Sequence, residues 1–100
     1  MAAHTFTATP WRWSARTEPS GWVFVSLPDP VSDLVDETGR AAGFGSVRVE
    51  VVCGASTWRT SVFPDAARGC FVLPLKKAVR VAEGIEVGEP VTLSVEVVEA

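Results

Sequence analysis

Apolar and polar residues alternate with a period of two along most of this chain, and the departures from that period mark helices and turns. Val47, Val49, Val51 and Cys53 share one parity while Arg48 and Glu50 hold the other, which predicts a strand with one buried face. Gly54-Ala55 then reads as a tight turn, and Ser56 to Phe63 as the return strand, with Trp58, Thr60 and Val62 on one face. Pro64 to Gly69 is a loop, Cys70 to Leu73 a short apolar strand, and Val91, Leu93, Val95 and Val97 alternate in a last strand. Nearer the start, Trp22-Val23-Phe24-Val25 is apolar at both parities and predicts a central strand covered on both sides. The stretch from His4 to Arg16 alternates too, but its phase shifts at Pro10: Phe6 and Ala8 share one face, and Trp11, Trp13 and Ala15 the other. That predicts an edge strand bulged or broken at the proline. Glu18-Pro19-Ser20-Gly21 has the composition of a turn.

Two segments leave the period of two. Asp29-Pro30 opens a helix with Asp at the N-cap and Pro at the first helical position. Val31, Leu34 and Val35 give it an apolar stripe, and Gly39 is placed to stop it. A second short helix is expected from Pro74, stopped near Gly84 in the left-handed conformation, with Ile85 making the apolar contact that accompanies such a stop.

These elements repeat. Phe24-Val25-Ser26-Leu27-Pro28, a helix, Gly39 and the strand from Val47 have the plan of Phe71-Val72-Leu73-Pro74, a helix, Gly84 and the strand from Val91. The proline-to-glycine offsets are 11 and 10 residues, and the glycine-to-valine offsets 8 and 7. Neither strand–helix–strand unit can bury its apolar face alone. Packing them together predicts one mainly β domain over residues 1–100, a small closed or nearly closed β-barrel of about six strands with two short helices. Closure would also remove the edges that so many valine-rich strands otherwise expose.

The totals narrow the function classes. A chain of 100 residues is one domain by size and closes a core without staples. No apolar run approaches a membrane span, and Met-Ala-Ala-His-Thr lacks the features of a signal peptide, so a cytoplasmic protein without membrane contact is expected. The net charge of −3 argues against duplex DNA as the main partner. Cys53 and Cys70, the only cysteines, read as small buried thiols; no spacing suits a metal, and no cofactor is implied.

The pattern Trp22-Val23-Phe24-Val25, Leu27-Pro28, Gly54, Thr60-Ser61-Val62-Phe63-Pro64, Gly69 and Leu73-Pro74-Leu75-Lys76-Lys77-Ala78-Val79-Arg80 resembles the bacterial family called domain of unknown function 1905. Leu73-Pro74, the helix, Gly84-Ile85 and Gly88-Glu89-Pro90-Val91 also resemble the swapped-hairpin unit of AbrB-like transition-state regulators. The resemblance runs from Phe6 to Val97 and implies a double-split barrel made within one chain. It carries no activity with it.

Candidate chemistry lies in charge segregation. The first helix bears Asp29, Asp33, Asp36 and Glu37; the second bears the chain's only lysines, Lys76 and Lys77, with Arg80. Cations at a helix N-terminus oppose the macrodipole, and Lys76 and Arg80 repel at i, i+4. A helix that tolerates both is a candidate anion site, extended by Arg59 and Arg68 and by the hydroxyls of Thr60 and Ser61. Solvated lysines whose stems cover barrel-end surface would give the same pattern. Of the four tryptophans, Trp22 and Trp58 are expected in the core. Trp11 and Trp13 share one face: exposed, they would form a stacking surface; buried, they would plug the barrel, and burial is the expectation. Catalysis lacks parts, since the single histidine, His4, sits near a terminus and no base is placed to activate Ser61 or either thiol. The sequence points to a non-enzymatic binding module holding an anionic small molecule or an acidic protein at its basic helix. A nucleic-acid-associated protein and a self-associating interaction domain are the alternatives.

Overall fold

The computed structural model describes residues 3–13, 22–42 and 45–98, with the backbone alone for residues 39–42. The turn expected at residues 18–21 lies outside the described residues. The chain forms β1 (His4–Ala8), β2 (Trp11–Trp13), β3 (Trp22–Ser26), α1 (Asp29–Ala42), β4 (Val47–Cys53), β5 (Ser56–Asp65), β6 (Cys70–Pro74), α2 (Lys77–Glu83) and β7 (Val91–Val97). All described strand pairs are antiparallel, in a single seven-stranded sheet of order β1-β7-β4-β5-β6-β3-β2.

The number of strands exceeds the expected six because Pro10 divides the first alternating stretch into two. A proline has no N–H for a ladder, so the chain leaves β1 at one edge of the sheet and re-enters as β2 at the other. Two edges joined by residues 9–10 require the sheet to curl, with Pro10 buried at the junction and its carbonyl accepting the Gly88 N–H at 3.0 Å. Among the described residues no ladder joins β1 to β2, so the result is a curled half-barrel rather than a closed one.

The two pseudo-repeats meet as counterparts. The first repeat's β3 pairs with the second's β6, and β4 pairs with β7. With the repeats aligned on Leu27 and Leu73, Ser26 faces its own equivalent, Val72; aligned on Val47 and Val91, Val51 faces its own equivalent, Val95. Each pairing therefore turns about a local two-fold point.

The concave face collects the core: Val23, Val25, Val49, Val51, Val62, Leu73, Leu93 and Val95 are almost fully buried. The α1 helix covers part of it with Val31 and Val35, and the buried Ser32 hydroxyl accepts the Phe71 N–H at 2.9 Å. Leu34 faces outward instead of joining the apolar stripe. Gly39 does not end this helix, which continues to Ala42. The second helix starts later than expected: Pro74 completes β6, Lys76 is the extended N-cap and Gly84 the left-handed C-cap, with φ 63°. The Ile85 N–H reaches the Arg80 carbonyl at 2.9 Å, and the Ile85 side chain is buried as the stop predicts.

Trp58 packs against the core, its buried indole N–H without a partner among the described residues. Cys53 is buried and Cys70 half-buried, and both are free thiols. Burial, with the nearby Glu83 carboxylate, pushes the Cys53 thiol above its ordinary range. No helix among the described residues is long and apolar enough to cross a membrane.

Candidate functional site

The outer face of β2, β3 and β6 is where the structure departs most from the tryptophan expectations. In β3, Val23 and Val25 point into the core, so Trp22 and Phe24 must point out. Among the described residues nothing covers that side as a second layer, and Trp22 is 56% exposed rather than buried. Across the β2–β3 ladder Trp11 lies opposite Phe24 and Trp13 opposite Trp22. Trp13 is 49% exposed and Trp11 half-buried, so these rings do not plug the barrel; they extend the same outer face. Phe24 sits between two indoles, its centroid 5.2 Å from that of Trp11 and 6.3 Å from that of Trp22. The Trp11 indole N–H donates to Ser26 Oγ at 3.0 Å, which holds that ring in place.

These rings floor a groove of about 620 Å³ whose far wall is Phe63, Val72, Pro74 and the chain from Pro64 to Ala67. Phe63 reaches the groove because β5 gives up its alternation there: Val62 points in, while Phe63 and Pro64 are both exposed. The volume falls in the range of small-molecule sites, and the lining has the usual balance of aromatic walls and few polar groups.

A second recess of about 240 Å³ adjoins the groove, sharing Trp22, Phe63 and Pro74 with it. Its other walls are Arg48, Thr60, Ser61, Leu75 and Lys76. Arg48 is there because it lies directly across the ladder from Ser61, and Lys76 because it follows the end of β6. Among the described residues no carboxylate lies within ion-pair range of Arg48 or Lys76.

The proposed anion set is therefore divided. Lys76, Thr60 and Ser61 share one recess with Arg48. Lys77 and Arg80 line a different depression, with Val81, Gly84 and Glu86. Arg80 turns its Nε back to the Leu75 carbonyl at 3.1 Å, and Arg59 is paired with Glu50 at 3.2 Å. Arg68 belongs to neither; its guanidinium carbon rests 3.7 Å above the centre of the Trp11 ring. Sequence reasoning places Trp22 in the core and passes over Arg48, Phe24 and Phe63. The only available sign for Arg48 is its polar parity in β4; its meeting with Lys76 depends on the β4–β5 and β5–β6 pairings.

A family model described as Domain of unknown function (DUF1905) matches residues 6–95. No curated protein matches the chain.

Proposed function

The chain belongs to the DUF1905 family, and within it we propose a binding module, not an enzyme, whose ligand is a small organic anion with a flat apolar body. The observation that carries this reading is the continuity of the aromatic groove with the recess holding Arg48 and Lys76, through shared Trp22, Phe63 and Pro74. The rings offer stacking surface for a planar body. Arg48 and Lys76, without a carboxylate partner among the described residues, and the Thr60 and Ser61 hydroxyls offer charge-assisted hydrogen bonds to a carboxylate or phosphate at one end. This moves the anion site from the basic helix as a whole to its N-cap residue, leaving Lys77 and Arg80 outside.

Isothermal titration of aromatic carboxylates and aryl phosphates against the wild type, Lys76→Gln and Trp22→Ala tests it. Both variants should weaken binding about tenfold or more, with tryptophan emission changing in the wild type. Binding unaffected by either substitution would sink the proposal. Tight binding only by single-stranded oligonucleotides, falling steeply with salt, would replace it with the nucleic-acid reading.

A further inference from the structure

Arg68 lies over the ring of Trp11 at the end of the aromatic floor, and its surroundings fix its backbone while leaving the N–H donors of its guanidinium without a short partner among the described residues. The β5–β6 turn is held by its own hydrogen bonds: Asp65 Oδ1 accepts the Ala67 N–H at 3.0 Å and the Arg68 N–H at 3.4 Å, and the Asp65 carbonyl accepts the Gly69 N–H at 2.8 Å. Gly69 closes it at φ 69°. The guanidinium that leaves this turn lies on the Trp11 face, and its one ion-pair contact among the described residues is to Asp65 Oδ2 at 3.8 Å, longer than a hydrogen bond. Among the described residues it donates no side-chain hydrogen bond. A guanidinium carries five N–H donors in a fork matched to carboxylate and phosphate, and a ring contact through its central carbon satisfies none of them.

Cations thus flank the aromatic floor in two places: Arg48 and Lys76 in the recess beyond Trp22, and Arg68 over the ring of Trp11, next to the lining residues Asp65 to Ala67, with Phe24 between the two indoles. We propose that Arg68 is the second anion contact of the groove, so that its ligand class is a flat, aromatic-bodied molecule bearing an acidic group at each end. This rests on the binding reading above and narrows it. Asp65, which lines the groove, competes with the ligand's acid for Arg68 and sets a threshold that a neutral end does not cross.

Titration calorimetry with matched probes tests the proposal: naphthalene monocarboxylate against the dicarboxylate, and the longer biphenyl pair. The wild type should prefer the diacid of at least one pair by about tenfold. Arg68→Gln should bring that ratio close to one, while Arg59→Gln, whose charge is spent on Glu50 outside the groove, should preserve it. Asp65→Asn keeps the oxygen that accepts the turn's N–H groups and removes the competing charge, so it should raise the preference. Diacids binding no better than monoacids in both pairs, or a preference that survives Arg68→Gln, overturns the second contact and leaves the first standing. If no probe binds at millimolar concentration, or if Lys76→Gln and Trp22→Ala bind as the wild type does, the underlying reading fails and this one with it.

Discussion

Three small residues carry more of the fold than their size suggests. Ser32 is the one buried polar residue among the described residues, and its hydroxyl accepts the Phe71 N–H where α1 crosses β6. Ser32→Ala leaves that N–H without a partner, and urea unfolding should show a loss of about 1–3 kcal/mol. Gly54 turns the β4–β5 hairpin at φ 57°, and the space a side chain would need there is filled by the Glu83 carboxylate, which accepts the Ser56 hydroxyl at 2.5 Å. Gly54→Ala should destabilise by about 1 kcal/mol or more, and Glu83→Ala should relieve only the steric part of that loss. Cys53 has its thiol raised by burial and by Glu83. Because the folded value lies above the unfolded one, this stability is complete below the unfolded thiol's value, near 9.0, and is lost as pH rises through the folded value. Stability should therefore fall with alkaline pH, less so in Cys53→Ala, and a neutral-pH alkylating agent should label half-buried Cys70 before Cys53.

At the level of elements, what the sequence makes legible follows from how local the cause is. The β4–β5 hairpin is legible because strict alternation on both sides of Gly54-Ala55 leaves one register that buries Val49, Val51 and Val62 together. The end of α2 is legible because Gly84 alone can take the left-handed turn. Gly39 carries the same letter without the same result, since α1 continues through it. The site is less legible. Four apolar residues in a row at Trp22–Val25 fit a doubly covered strand and a strand with an exposed aromatic face equally well, and it is the exposure of Trp22 among the described residues that decides between them. The meeting of Arg48 with Lys76 takes two successive ladders, β4–β5 and β5–β6, and the register of both must be known before the two residues can be placed in one recess. The start of α2 offers a test that separates stability from binding: Lys76 is an N-cap without a side-chain cap hydrogen bond. Lys76→Ser supplies that acceptor and should raise stability by about 0.5–1 kcal/mol in thermal melts, while weakening anion binding.

For the whole molecule, the strand order predicts a gradient of rigidity. β4 is held on both sides, by seven paired positions with β5 and four with β7, whereas β2 has three with β3 and lies at an edge. Hydrogen exchange should find the β4 amides protected up to the global unfolding free energy and the β2 amides released by local opening, so the Trp11–Trp13 side of the groove should tighten measurably when a ligand is added. The pairing of each repeat with its counterpart has a further consequence, for stoichiometry. Two identical halves turned about a two-fold point would present the same face twice, and two like sites invite cooperativity. Here the alignment that matches Leu27 with Leu73 sets Trp22 against Arg68 and Phe24 against Cys70, so the aromatic face of one half has no copy in the other. One half supplies the rings of Trp22 and Phe24, and the other places Arg68 over Trp11 beside them. A titration should accordingly end at one ligand per chain along a simple hyperbola.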